Sequence, residues 1–306
     1  MDASAQADQH STLRPEASPP VRVAVVGAGY LGRFHAEKYN GLDGVELVGI
    51  VDVETAKAAE VASHCRSRAF SRHQDLVGQV DAVSIVVPTP LHFAIAGDFL
   101  KNGVDVLIEK PMTTTLAEAR ELIDIATNNG LILQVGHLER FNPAVMAVRE
   151  RIQKPMFIES HRLSLYQGRS TDVSVVLDLM IHDIDIILNF VGAPIKAIHA
   201  SGAAVVSAHC DIANARIEFA TGCVANITAS RISTKNQRKV RLFQKNAYIA
   251  VDFAAREITH IQQTGEAGSA PIPGMTVDQA RFPEGDALAA ELRAFVDAVA
   301  TRREPE

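Results

Sequence analysis

The chain has no basic excess: 30 Lys and Arg are outnumbered by 36 Asp and Glu, a net charge of -6. Binding nucleic acid by bulk charge needs a concentrated basic face, so no nucleic-acid partner is expected, although a local pocket for an anion stays open. No apolar run approaches the roughly 18 residues that span a bilayer, so membrane insertion is not expected. Residues 1–20, MDASAQADQHSTLRPEASPP, lack a basic segment followed by an apolar one and do not read as a secretory signal. Cysteine is scarce. Cys65, Cys210 and Cys223 are odd in number with no CxxC spacing, which argues against a structural zinc site and for a reduced, cytoplasmic setting. There are no internal repeats. With hydrophobic residues at 47% of 306, the chain can bury real cores, and at ~150 residues per domain its length suggests two domains.

Residues 1–20 are Ser-, Ala-, Gln- and Pro-rich without periodicity and read as a mobile tail. From Val21 the character changes. Short β-branched runs at 21–26, 46–51, 82–87, 105–108 and 131–135 alternate with helical patterns at 31–39 and 54–64, from near Leu91, and from Thr115, which has Glu118 at capping-box spacing. Near-continuous apolar strands alternating with helices predict an α/β domain built on a doubly wound parallel sheet over 21–136. Residues 137–306 read differently, as an α+β domain with a mainly antiparallel sheet. A helix near 143–152 precedes a half-exposed strand at 156–165 and a helix over 173–190. Two hairpins follow, at 215–230 and 240–253, and an amphipathic helix at 286–301 ends the pattern.

Gly27-Ala28-Gly29-Tyr30-Leu31-Gly32 is a GxGxxG run placed directly after a strand and opening a helix, with Asp52 20 positions past Gly32 at the end of the second strand. Gly27 allows the tight turn, Gly29 lets a pyrophosphate approach the backbone, and Gly32 lets the helix pack on the strand. Asp52 suits the adenosine ribose hydroxyls of NAD. The 2′-phosphate of NADP would face Asp52 and Glu54 with no Arg in 51–56 to offset them, although Lys57 and Arg33 are near enough in sequence to swing in.

Glu109-Lys110-Pro111 follows a predicted strand and so falls at the carboxyl edge of the sheet, where ligands of such sheets sit. Lys110 there is suited to stabilise an alkoxide forming beside a nicotinamide; the alternative is a surface turn. Asp178 and His182 lie four apart on the 173–190 helix and share a face. A His that titrates near neutrality can take a hydroxyl proton as hydride departs, with Asp178 orienting it or binding a sugar hydroxyl. The alternatives are a hydrogen-bonded core His, or a metal held by Asp178, His182 and Asp183 or Asp185. Asp183, adjacent to His182, points elsewhere, so no metal is assigned.

Together with Gly136-His137 and the following Arg140-Phe141, these motifs resemble the glucose–fructose oxidoreductase / inositol dehydrogenase / MocA (Gfo/Idh/MocA) family, in family order and spacing, from residue 21 to about 300. The resemblance implies an N-terminal Rossmann domain, and a second α+β domain whose open sheet mediates assembly into a dimer or tetramer. It also implies NAD-dependent hydride transfer at a CH–OH carbon of a sugar or polyol. Carried over, Lys110 contacts substrate and cofactor, His182 is the general base and Asp178 supports it. Pro88, Thr89, His92 and Glu109 fall beside the cofactor. His35 matches a common family position with a packing role. The stretches 136–145, 172–188 and 229–253 are similar to a branch that oxidises UDP-N-acetylglucosamine at carbon 3, whose keto product a separate aminotransferase converts to an amine for lipid A or surface-polysaccharide synthesis. A nucleotide sugar carries a diphosphate, and His137, Glu139, Arg140, Asn142, Arg162, Tyr166, Arg169 and Arg231 are the candidate substrate contacts, with Arg140 foremost. Arg162 and Arg169 also suit solvent or an oligomer interface. Other substrates within the family (a free sugar, inositol, a UDP-sugar acid) and a non-catalytic NAD-binding regulator are the rival readings.

Overall fold

The computed structural model describes residues 19–168, 173–264 and 273–305. The predicted tail and Arg169 therefore fall largely or wholly outside the described residues. The first sheet contains β1 (Val21–Val26), β2 (Val45–Val51), β3 (Arg68–Phe70), β4 (Ala82–Ile85), β5 (Asp105–Glu109) and β6 (Leu133–Gly136), in the order β3-β2-β1-β4-β5-β6. Every pairing in it is parallel. Parallel pairing needs crossovers, which α1 (Tyr30–Asn40), α2 (Thr55–His64), α3 (His92–Lys101) and α4 (Leu116–Asn129) supply. Both faces are covered, so β1, β4 and β5 run as buried apolar stretches, and the strand order reverses between β1 and β4. The α4 start carries the capping box expected from its sequence: the Thr115 hydroxyl accepts from the Glu118 N–H at 3.2 Å and the Glu118 carboxylate accepts from the Thr115 N–H at 3.0 Å.

After α5 (Pro143–Arg149), the second sheet opens with its central strand, β7 (Pro155–Leu163), and α6 (Ile181–Val191) lies on one face. Then come β8 (Ile195–Ala203), β9 (Ile212–Phe219), β10 (Val224–Ser230), β11 (Gln237–Gln244), β12 (Ala247–Asp252), β13 (Glu257–Gln263) and β14 (Met275–Arg281). The order is β14-β13-β12-β11-β7-β10-β9-β8, antiparallel throughout except for β7 beside β10. Alternate residues of the inner face, among them Ile158, Ile217, Ile227, Leu242 and Ile249, bury against Val145, Ile186, Ile187 and Phe190 of α5 and α6.

Two differences from the sequence reading matter for the site. The region read as one helix from 173 is a wide turn over Val176–Met180, with five-residue hydrogen-bond spacing, leading into α6. Such a turn inserts one residue into the helix and re-aims its carbonyls. The final helix, α7 (Ala287–Thr301), does not stay with the second domain. Its apolar stripe, Leu292, Phe295, Val296 and Val299, completes the core around Val23, Val25, Ala36 and Tyr39 of the first sheet and α1. An amphipathic helix buries its stripe wherever an apolar face is open, and periodicity does not say which.

Candidate active site

The carboxyl ends of β1, β4, β5 and β6 meet at one edge of the first sheet, and the three glycines there have distinct jobs. Gly27 has φ +108°, and a Cβ on it would fall 2.2 Å from the Val86 carbonyl oxygen. A Cβ on Gly32 would fall 1.9 Å from the Gly27 carbonyl oxygen, so α1 can close on β1 only without a side chain. Among the described residues nothing lies within 4 Å of where a Cβ on Gly29 would stand, and α1 starts there with no side-chain cap. That open space above uncapped helix N–H groups fits a pyrophosphate. Asp52 accepts from the Ala28 N–H at 2.7 Å and the Glu54 N–H at 2.8 Å, which holds its carboxylate beside the loop where a ribose would reach it. Lys57 pairs with Glu54 and Arg33 with Glu37, so neither cation faces a 2′-phosphate position unopposed. Tyr30 is exposed at the start of α1, with its ring edge-to-face on Phe34; Leu31 is partly buried beside it.

These glycines make a separable prediction. Gly29→Ala should keep its melting temperature, because its φ of −71° is open to any residue and the space is empty, while NAD affinity falls about tenfold or more. Gly32→Ala should instead lower Tm by roughly 5 °C or more through backbone overlap. Thermal melts and calorimetric NAD titration of both variants check this; equal NAD affinity in Gly29→Ala and wild type would remove the pyrophosphate from this loop.

The strand ends beside the glycine loop are tied by His92. Its Nε2 faces the Val87 carbonyl at 2.8 Å and its Nδ1 the Pro111 carbonyl at 3.1 Å, joining the Pro88-Thr89 turn to the Lys110-Pro111 turn, whose peptide bond is cis. His92 is 1% exposed, so it positions these loops from behind. Glu109 turns inward: its carboxylate lies 3.2 Å from His35 Nε2 and against Gly136, where a Cβ would come within 3.0 Å of it. The lysine turns the other way. Lys110 Nζ donates to the Asp178 carbonyl at 3.2 Å, bridging the first sheet to the wide turn of the second domain. Burial lowers the Lys110 pKa, and the nearby Asp178 and Glu109 charges oppose that.

His182, in the first turn of α6, is partly buried with Nδ1 enclosed and without a hydrogen-bond partner among the described residues. Burial first, then the charges of Arg162, Lys110, His137 and Arg238, drive its pKa down to about 2. This differs from the sequence expectation of a ring titrating near neutrality: burial first, then the surrounding cations, keep the imidazole neutral, the form in which a general base must start, while making it a weaker proton acceptor than a free histidine. Burial lowers the His137 pKa also, opposed by Asp185, whose carboxylate is 3.7 Å from Nε2.

The acidic residues that follow His182 explain where two of the expected substrate arginines go. Asp183 accepts from Arg162 at 2.7 Å, and Glu139 accepts from the same guanidinium at 3.1 Å; Arg162 is 3% exposed. Asp185 takes Arg140 in a two-pronged pair at 2.8 and 2.5 Å. Arg140 and Arg162 thus pin the 137–142 segment and β7 to α6, and for the buried Arg162 guanidinium a buried carboxylate is needed. Asn142 caps α5, accepting from the Ala144 N–H at 3.0 Å.

The cleft itself, about 440 Å³, lies beside the wide turn and is lined by Ser164, Tyr166, Asp178, Arg231, Asn236 and Arg238 among others. Its size falls in the range of ~300–1,000 Å³ common for small-ligand sites. Of the expected substrate contacts, Tyr166 and Arg231 line it, as does Asp178; Arg231 also donates to the Val173 carbonyl at 2.6 Å. Arg238 was not singled out from sequence, since nothing in the run Gln237-Arg238-Lys239 distinguishes the inward residue until the strand register is known.

The family comparisons agree with this geometry. Residues 21–137 match the oxidoreductase family with an NAD-binding Rossmann fold, and residues 151–250 match the GFO/IDH/MocA C-terminal domain. The chain is 41% identical over 285 residues to UDP-N-acetylglucosamine 3-dehydrogenase of Acidithiobacillus ferrooxidans, covering 92% of this chain and 90% of that protein. It is 30% identical over 240 residues to scyllo-inositol 2-dehydrogenase (NAD(+)) of Bacillus subtilis, covering 70% and 68%. A solved structure of the Acidithiobacillus ferrooxidans enzyme superposes with a TM-score of 0.88 at 40% identity, over 93% of this chain and 90% of that one. Glycine loop, cofactor-edge lysine, cleft and matched domains lead to one conclusion: the chain belongs to the Gfo/Idh/MocA family of NAD-binding oxidoreductases.

Proposed function

We propose that this oxidoreductase oxidises a secondary hydroxyl of a nucleotide sugar, with carbon 3 of UDP-N-acetylglucosamine the leading candidate. The observation that carries the reading is the meeting of Lys110, from the cofactor edge, with the Asp178 turn that leads into neutral His182, Asp178 itself lining a cleft together with Arg231 and Arg238. The 41% identity to a UDP-N-acetylglucosamine 3-dehydrogenase over nine-tenths of both chains supports the choice of substrate.

Gly27 to Gly32 hold the cofactor pyrophosphate and Asp52 its ribose. NAD, when bound, supplies the hydride acceptor. His182 receives the hydroxyl proton, and its neutral ring is in the correct form to do so. The Lys110 ammonium stabilises the oxyanion that develops on the same carbon. Asp178 holds Lys110 through its carbonyl and lines the cleft. His137, Glu139, Arg140, Asn142 and Arg162 support this arrangement from behind, while Tyr166 and Arg231 contact substrate.

A cytoplasmic setting, a homo-oligomer and an aminotransferase that consumes the keto product belong to the same proposal. On the outward face of the second sheet, Phe157, Phe243 and Tyr248 cluster with ring centroids 5.1 to 6.0 Å apart, the kind of apolar patch that a second copy covers. Incubating the protein with NAD and UDP-N-acetylglucosamine should yield NADH and, by mass spectrometry, a product lighter by two hydrogens. NADH formation with inositol or a free sugar, and none with the nucleotide sugar, would transfer the assignment to a polyol dehydrogenase.

A further inference from the structure

We infer that Arg238 binds the diphosphate of the substrate and is the residue that makes this site select a nucleotide-linked sugar over a free one. The inference rests on the nucleotide-sugar reading above and adds to it the group that recognises the anion.

The strand register places this residue. Arg238 on β11 stands directly opposite Arg162 on β7, and cross-strand partners project to the same face. That face is the inner one: Val240 and Leu242, two and four residues further along β11, are fully buried beneath α5 and α6. Two arginines facing each other across a strand pair repel, and the repulsion has been relieved for only one of them. Arg162 is neutralised by Asp183 and Glu139. Among the described residues, no hydrogen bond or ion pair is seen for the Arg238 guanidinium, which is exposed and lines the 440 Å³ cleft together with Tyr166, Asp178 and Arg231. Its charge is near enough to His182 to oppose protonation of that ring.

A cation kept beside another cation, with no carboxylate supplied to it, fits an anion that arrives with the ligand. The other arginines near the site have internal partners: Arg140 has Asp185, Arg162 has Asp183 and Glu139, and Arg231 has the Val173 carbonyl. Guanidinium geometry suits two phosphate oxygens at once, which a neutral polyol cannot offer.

The test uses the full-length, NAD-loaded protein and two probes, UDP and uridine, with variants Arg238→Gln and Arg238→Lys. Isothermal titration should show UDP binding to wild type much more tightly than uridine, and weakening at higher salt. Arg238→Gln should weaken UDP about 10- to 100-fold, leave uridine and NAD within about twofold, and keep the wild-type melting temperature, while Arg238→Lys restores part of the UDP affinity. With UDP-N-acetylglucosamine as substrate, the KM of Arg238→Gln should rise far more than its kcat falls. UDP affinity unchanged in Arg238→Gln, or no preference for UDP over uridine in wild type, would overturn the assignment. If wild type binds UDP through Arg238 but does not oxidise UDP-N-acetylglucosamine, the anion site stands and the choice of sugar substrate fails.

Discussion

His182→Ala should lower kcat by roughly 10² to 10⁴ while NAD affinity stays within about twofold of wild type, and Lys110→Ala should fall in the same range. The two effects share a cause. Removing a proton from a secondary alcohol at neutral pH requires an acceptor for the proton and a positive charge for the oxygen left behind, and both must be in place as hydride departs. The cofactor contacts lie elsewhere, on Gly27 to Gly32 and Asp52, so binding of NAD and chemistry separate cleanly. Because both side chains act on the same oxygen, the double variant should lose much less than the product of the two single losses. The pH profile carries a signed expectation. With the His182 pKa depressed to about 2 by burial and by its cationic neighbours, the free enzyme keeps its base deprotonated throughout the working range. The kcat/KM profile should therefore show no acid limb from this ring between pH 5 and 8. Wild-type-like turnover in both alanine variants would remove the two residues from the chemistry. An acid limb near the ordinary imidazole pKa that disappears in His182→Ala would show that the ring is not held neutral.

How far the sequence reached follows from the range of each signal. The glycine loop and Asp52 were legible because the glycines answer backbone constraints within one strand–turn–helix unit: Gly27 takes a φ of +108°, and Gly32 sits where a Cβ would overlap the Gly27 carbonyl. Lys110 was legible for a similar reason, as the strand end and Pro111 fix its place at the sheet edge. The three-residue strand β3 carries too little pattern to read, and it is largely exposed. Strands β8, β13 and β14 were missed because β8 is exposed on both faces and β13 and β14 are mostly half-buried, leaving no clean alternation. Arginines were the hardest. Whether Arg140, Arg162 or Arg238 meets a ligand depends on which of them finds Asp183 or Asp185 first, and that contact joins segments 21 to 45 residues apart. Position in a motif marked Arg140; the register of β11 against β7 marks Arg238.

Glu291→Gln should stabilise the protein, and the gain should grow with pH. Glu291 lies on the inward face of α7, fully buried, with neither carboxylate oxygen partnered among the described residues. Burial, then the charges of Glu109 and Asp185, raise its pKa to about 8, and Arg140 opposes the rise. The sign follows from linkage. Between the ordinary glutamate value of about 4.5 and the folded value of about 8, the folded chain holds a proton that the unfolded chain releases, so folding stability falls as pH rises through this window. The penalty is absent below the unfolded pKa and complete above the folded one, where, at about 1.4 kcal/mol for each unit of displacement, it reaches a few kcal/mol. Glutamine keeps the shape and cannot ionise. At pH 5 its Tm should lie close to wild type, and by pH 8.5 it should exceed wild type by roughly 10 °C or more, taking ~2–4 °C per kcal/mol for a chain of this size. A buried amide carries its own desolvation penalty, but that penalty does not vary with pH, so the difference between the two melts isolates the ionisation. A Tm difference that stays flat from pH 5 to 8.5 would mean Glu291 is compensated in the folded state. The effect bears on the site because α7 brings Glu291 toward the carboxylates that hold His35 and Arg140. A neutral Glu291 leaves Asp185 bound to Arg140, whereas an ionised one adds a third negative charge beside Glu109 and Asp185 and sets them against each other.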